Sequence, residues 1–387
     1  MAQQPAGRAA PEGEAVAKPP GRAVPPGQAV GAAAPAGAEV LKLQSKTRNW
    51  AATVRDLDAE GDDVRAAAAA DLAVHVEAHR SDVARHLRTA LDDPAPEVRA
   101  AAAVAAADGG VDDIVDALVA ATEDEVDEVV AAALTALGEL RAAPATPAVS
   151  RCLEHPAGPV RFQAVIAYPR VQAERSPTID ALLRASHDED PFVRHIALRM
   201  AEEVGGEPEA KPTAVVYPVF ISRARALLDD DHDAVRVAAA VILARAGRRD
   251  GVPILARVAA REIITSEADD ESAAIELCGT LRIEAARAPL RKRAFGRVIL
   301  LQRDPFAWQA RVALAAMGDS EARGWIISEL DAWTRERRTL AVAAAGRAGL
   351  SGARPKLEAM RQDPRRAAPE AVAEALALIE AHDRDDG

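Results

Sequence analysis

A short phrase, valine and arginine followed by a run of alanine and other small apolar residues, recurs along this chain at nearly regular intervals. It reads VRAAAAADL at Arg65, VRAAAAVAA at Arg99, VRFQAVIAY at Arg161, VRHIALRMA at Arg194 and VRVAAAVIL at Arg236. Between Arg99 and Arg161 one copy, EVVAAALTALGEL, has lost its arginine, and Val130 stands 31 residues from each of them. Self-similarity at a period of about 30 residues marks a repeat array, in which each unit buries its apolar face only against its neighbours. One continuous array therefore replaces the two or three domains that length alone would suggest.

Composition points to helices. Hydrophobic residues make up 49% of the chain but aromatics only 3%. Alanine dominates, which favours closely packed helices over sheets built from β-branched and aromatic residues. The formal net charge of −12 opposes a general nucleic-acid coat or attachment to anionic lipid, both of which need positive fields. Cys152 and Cys278 fall in different units, so neither a disulfide framework nor a CxxC metal motif is available. That usage, with no basic segment leading an apolar stretch and no apolar run long enough to span a bilayer, predicts a cytoplasmic protein.

Residues 1–45 carry seven prolines, many alanines and glycines and no aromatic residue, and are expected to be a disordered tail. The solenoid is expected over residues 46–387. One unit shows its logic. VARHLRTAL places Val83, Leu87 and Leu91 on one helical face, DDPAP makes a turn, and EVRAAAAVAAADGG forms a second helix with a glycine stop. Second helices marked by Arg65, Arg99, Val130, Arg161, Arg194, Arg236, Ala274, Ala310, Thr339 and Val372 give ten units. Two linkers, residues 203–218 and 262–272, are long for such an array, and long loops more often touch something.

The turn aspartate or proline, the Val-Arg start and the small-residue run together resemble the HEAT-repeat family, in particular its short phycobilisome-lyase-like class, over roughly residues 60–382. The resemblance implies an all-α, HEAT-like alpha-alpha superhelix, a right-handed solenoid of about ten helix pairs. It also implies that the recurring arginines form an internal ladder with turn aspartates. Asp93 and Asp230 stand six residues before Arg99 and Arg236, as that use requires. Arg65, Arg161 and Arg194 complete the expected ladder. Iron-binding hydroxylases of the family carry adjacent His-Glu pairs, and no histidine here is followed by glutamate. The family is chiefly one of scaffolds, receptors and assembly factors.

No phosphate loop or nucleophile constellation is present, and no cofactor, metal site or catalytic residue is expected. His75, His79 and His86 lack a further ligand at metal spacing, and His187, Asp188, Asp190 and His195 fit helix capping at a turn. Charge is segregated along the chain. Between Arg99 and Arg141 ten acids meet no lysine or arginine, whereas from Arg282 to Arg311 eight basic residues face only Glu284 and Asp304. These blocks are solvated faces or docking regions for partners of opposite charge, and could also pair head to tail between copies. Trp333 is expected in the core. Trp308 occupies a position taken by Phe192, Glu97 and Glu128 in other units, which marks it as exposed. Trp308, Arg291, Lys292, Arg293, Arg297 and Phe192 are therefore the expected protein-binding residues of a non-catalytic scaffold or adaptor. The alternatives are an assembly factor or lyase-like protein acting on a cofactor-bearing partner, and nucleic-acid binding through the basic segment.

Overall fold

A computed structural model describes residues 48–205, 218–265, 267–296 and 304–385. The expected tail, most of the 203–218 linker and Arg297 lie outside the described residues. Among those described there is no strand, and twenty α-helices follow one another as ten pairs. The first five units are α1 (Trp50–Asp56) with α2 (Asp62–Asp71), α3 (Val76–Leu91) with α4 (Pro96–Asp108), α5 (Val115–Ala121) with α6 (Asp127–Glu139), α7 (Thr146–Cys152) with α8 (Gly158–Val171), and α9 (Arg175–Ala185) with α10 (Pro191–Gly205). The last five are α11 (Pro218–Leu227) with α12 (Asp233–Arg245), α13 (Val252–Ala259) with α14 (Ala268–Thr280), α15 (Glu284–Phe295) with α16 (Ala307–Ala316), α17 (Ser320–Glu329) with α18 (Arg335–Arg347), and α19 (Arg354–Arg361) with α20 (Pro369–Asp385). Residues 268–272, expected in a loop, form the first turn of α14, with Asp269, Asp270 and Glu271 at its positive end.

The second helices stack in an unbroken row, each against the next. Small residues allow that approach. A Cβ on Gly279 of α14 would stand 2.6 Å from the Cα of Ala313 in α16, and one on Gly346 of α18 would stand 2.6 Å from the Cα of Ala375 in α20. Leucine, isoleucine and valine from the first helices, such as Leu87, Leu118, Leu255 and Leu290, close the core from the other side. Among the described residues, six of the second helices end in a left-handed residue followed by a backward hydrogen bond from the next N–H, as in Val111 to Ala106 at 2.8 Å and Leu350 to Ala345 at 3.0 Å. Glycine holds that left-handed position at Gly110, Gly247, Gly318 and Gly349, whereas Arg141 and Arg282 hold it in two other units.

The arginine of the repeated phrase binds two turns at once. Arg99 donates from Nη1 to the carbonyls of Asp93 and Pro94 in its own turn, at 2.8 and 3.1 Å. Its Nε and Nη2 grip the carboxylate of Asp124, in the next unit's turn, at 2.7 and 2.8 Å. Arg65 grips Asp93 in the same way, Arg161 grips Asp188, and Arg194 grips Asp230. The pairing read from the sequence is corrected by this geometry. Asp93 and Asp230 offer Arg99 and Arg236 only a carbonyl, and their carboxylates serve the preceding unit. Each carboxylate also accepts the N–H two residues ahead, which shapes the turn.

Where the arginine is lost, the acid ahead of it is lost too. Val130 replaces it in the third unit, and in the fourth unit's turn His155 replaces the aspartate, its Nδ1 taking the Ala157 N–H at 3.2 Å. Ala310 stands at the arginine position of the eighth unit, and Ala332 at the acid position of the ninth. The seventh unit inverts the charge. Glu271, not Ala274, occupies the arginine register there, and Arg293 of α15 bridges it at 2.6 Å to the turn carboxylate of Asp304 at 3.1 Å. In the ninth unit the register falls on Arg338 rather than Thr339, and it donates forward to the Arg366 carbonyl at 2.7 Å. An aspartate left in these partly buried turns without its guanidinium would carry an uncompensated charge, which accounts for the joint replacement.

Gly279→Ala should destabilise the chain by about 1–3 kcal/mol through overpacking, whereas Gly324→Ala, at an exposed helical site with open space around its Cβ, should stabilise it by about 0.5–1 kcal/mol in urea unfolding. Arg99→Val and Asp124→His should each cost about 1–3 kcal/mol, while the double variant, which copies the natural Val130 and His155 step, should cost less than their sum. The Arg65 and Arg99 guanidiniums hold Asp93 and Asp124 below the ordinary carboxylate range. Burial pushes Asp188 and Asp230 up, but hydrogen bonds from Arg161 and Arg194 bring both down overall. Stability from these lowered values is full above the unfolded pKa of about 4 and is lost as pH falls through the folded values, so the acid-unfolding slope should shrink in the double variant.

Candidate interaction surface

The linear charge blocks are cancelled sideways by neighbouring units. In the acidic block, Arg80 holds Asp113 at 2.9 Å and also Asp112, Arg88 holds Asp116 at 2.8 Å, and Arg99 holds Asp124. Arg151 holds Glu123 at 2.9 Å and Arg170 holds Glu139 at 2.5 Å. In the basic block Arg287 pairs with Glu284 at 2.7 Å, and Arg291 pairs with Asp319 and, at 2.5 Å, with Glu321. Residues about one repeat apart are neighbours in a solenoid, so a block of one sign lies beside the opposite sign of the adjoining unit. Apart from the partly buried Arg99 pair, these exposed pairs add little stability, but they flatten the long-range field that docking by charge would use.

The expected binding residues separate under this geometry. Arg293 is buried within its Glu271 and Asp304 bridge and presents nothing to a partner. Trp308 is half-buried, packed edge-on against Trp325 with ring centroids 5.0 Å apart. Arg311 lies over the Trp325 ring at 4.2 Å and over Phe295 at 5.4 Å. Lys292 is exposed, as is Arg291 within its acid pairs. Phe192 is 58% exposed, with its edge toward His232.

Trp333, expected in the core, is 96% exposed. Helical spacing would place it on one face with Ile326 and Leu330, but α17 ends at Glu329. Arg338 donates to the Ala332 and Trp333 carbonyls, just as Arg99 donates to those of Asp93 and Pro94, so Trp333 holds a turn position that points outward. Glu189 and Asp231 hold the same position in two other units, with side chains 87% and 91% exposed. Ile264, 81% exposed, lies in the turn of the seventh unit. Phe192 in the first turn of α10, Ile264 ahead of α14 and Trp333 ahead of α18 thus lie beside the inter-helix turns of the fifth, seventh and ninth units, at three different places relative to the ladder position.

The histidines do other work. His79 stacks on Trp50 at 4.3 Å, with His75 and His86 edge-on to the same ring. Asp190 accepts the Phe192 N–H at 2.8 Å, the capping role expected of its cluster. His195 instead reaches across the alanine-rich α12 to the buried carboxylate of Asp270, at 2.8 Å, and Arg199 approaches that carboxylate at 3.4 Å. The sequence offers no sign of this link between residues 75 apart. Among the described residues no cluster suited to a metal ion occurs, and no helix is long and apolar enough to cross a membrane. Burial raises both thiols, that of Cys278 to about 12, so neither is a nucleophile at neutral pH.

Residues 84–169 match the family model for HEAT repeats. No curated protein matches the sequence. Among solved structures the chain is similar to an engineered protein, at 17% identity over 85% of this chain and 98% of that one, with a TM-score of 0.39. It is also similar to the Escherichia coli protein YibA, at 16% identity over 69% and 92% of the two chains, with a TM-score of 0.49. Yeast importin-beta, Kap95p, is similar at 14% identity over 84% of this chain and 48% of that one, with a TM-score of 0.46.

The exposure of Trp333 is open to direct measurement. Iodide should quench part of the tryptophan emission of the native chain, and Trp333→Phe should remove that fraction while leaving the contributions of Trp50, Trp308 and Trp325 nearly unquenched. Residues 84–169 are thus HEAT repeats, and the same turn, arginine register and small-residue helix continue that helical-repeat architecture in units on either side.

Proposed function

We propose that this solenoid is a non-catalytic protein-interaction scaffold that receives an extended segment of a partner along its turn edge, from the fifth to the ninth unit. The observation that carries this reading is the exposure of three large apolar side chains, Phe192, Ile264 and Trp333, beside the turns of alternate units. Scattered exposed apolar residues are ordinary on a protein surface; large ones beside the turns of alternate units offer a partner successive anchors. Charge beside these turns favours a segment with basic residues at one end. Arg161 faces both Asp188 and Glu189, and Arg194 both Asp230 and Asp231, leaving each of these turns net negative. Lys292 and Arg291 belong to the array's surface farther along, where they add contacts rather than the anchor. The ladder holds the turns rigid before binding, which limits the entropy cost of association.

Replacing Phe192, Ile264 and Trp333 together by serine should leave the helical circular dichroism unchanged and abolish the proteins recovered with the full chain in affinity purification. Recovery of the same proteins by the triple variant would refute the turn edge as the binding surface.

A further inference from the structure

The turn edge changes sign toward its far end. Arg65, Arg99, Arg161 and Arg194 each grip a turn carboxylate of the next unit. Arg338, in the same register of the ninth unit, meets Arg366 where that carboxylate would stand, and it donates instead to the Arg366 and Arg365 carbonyls at 2.7 and 3.4 Å. Its Nη1 holds the Ala332 and Trp333 carbonyls at 2.7 and 2.9 Å, so one guanidinium draws the ninth and tenth turns together. Trp333, with nearly its whole side chain in solvent, therefore stands beside a turn in which a base takes the acid's place.

The surface around it is net positive. Among the described residues no carboxylate pairs with Arg335, Arg338 or Arg365, and Arg335 and Arg365 are exposed. The nearby acids are largely spent, since Lys356 and Arg366 share Asp331 and Arg337 holds Glu329 at 2.8 Å. Glu336 and Asp363 do not restore the balance. Arg335 also stands against helix stability. α18 opens Arg335-Glu336-Arg337-Arg338, which puts guanidiniums at the positive end of a helix, whereas the first turns of α4, α6, α12 and α14 carry acids there. The ladder accounts for Arg338 and the Glu329 pair for Arg337. Among the described residues no contact accounts for the Arg335 and Arg365 side chains, and charges placed against stability concentrate where a protein binds something.

We propose that the turn edge of the ninth and tenth units takes an acidic stretch of a protein partner, with one apolar side chain of that stretch laid on Trp333. Carboxylates accept charge-assisted hydrogen bonds from exposed guanidiniums, and the indole supplies the apolar anchor between them. The inference rests on the reading that this edge receives an extended segment, and it gives that segment a direction. The sixth unit's turn carries Asp229, Asp230, Asp231 and Asp233 against Arg194 and Arg236, so the basic end of the segment lies there and the acidic end at Trp333. Opposite signs at the two ends suit a peptide of mixed charge, whereas the phosphates of a nucleic acid laid along the edge would meet those aspartates.

The test titrates the full chain with a peptide of glutamates around one phenylalanine, with its lysine counterpart and with oligothymidylate, reading affinity by calorimetry and Trp333 by acrylamide quenching. The glutamate peptide should bind, shield Trp333 and weaken as salt rises. Arg335→Glu with Arg365→Glu should lower its affinity about tenfold. The melting temperature should hold or rise, because Arg335→Glu places an acid at a helix start. The proposal is overturned if the glutamate peptide does not bind, if the double variant binds it as the native chain does, or if the lysine peptide or oligothymidylate shields Trp333 more strongly. Affinity purification separates the two readings. Proteins lost with the triple serine variant but kept by the arginine double variant overturn the acidic assignment and leave the turn-edge scaffold standing, whereas proteins kept by the triple variant refute both.

Discussion

One guanidinium geometry organises this molecule. An arginine in the first turn of a second helix reaches back to two carbonyls of its own turn and forward to the carboxylate of the next. It thereby meets polar backbone atoms that the turn cannot satisfy alone, and it fixes the distance between successive units. Arginine suits this because its planar fork can hold two acceptors on one side while a third nitrogen donates elsewhere. The carboxylate is equally occupied, since it closes its own turn on the N–H two residues ahead. Arg236 and Arg338 keep the arginine where Thr265 and Arg366 stand at the acid position ahead, but a carboxylate left without its guanidinium would be a partly buried charge, and the chain avoids that. It drops both at Val130 and His155 and at Ala310 and Ala332, and it rebuilds the link through Arg293 where Glu271 inverts the sign.

The second constraint is distance between second helices. Alanine and glycine on facing sides let their backbones approach until a single Cβ on Gly279 or Gly346 would collide with the next helix. With the second helices drawn close and the turns tied by the ladder, the side chains left facing solvent are set by register. Trp333 is exposed because its turn position faces solvent, as it does where Glu189 and Asp231 hold it. Trp308, although nearer the basic block, is drawn against Trp325 and the core.

The two edges of the second-helix row consequently differ in chemistry. At the turn edge, most ladder arginines are saturated by acids and apolar side chains project between them. At the other edge, helix ends present carbonyls that attract arginines, Arg249 to that of Leu281 and Arg287 to that of Met317. The linear blocks of acid and base carry little of this distinction, because pairing between neighbouring units removes most of their net charge. Binding in such an array depends on which positions the repeat leaves open, and less on regional charge.

The period, the all-helical class and the count of ten units were legible in the amino-acid sequence, because packing of alanine-rich helices repeats with every unit and each unit meets only its neighbours. So were the ladder arginines and the capping role of Asp190. The direction of the ladder was not legible: the acid six residues before an arginine and the acid in the following turn are both plausible partners on paper, and only the stacking of units brings one carboxylate into reach. The exposure of Trp333, the burial of Arg293 and the contact of His195 with Asp270 were likewise decided by tertiary structure. Each depends on where a helix ends or on what a neighbouring unit places opposite, and neither is a property of the local chain.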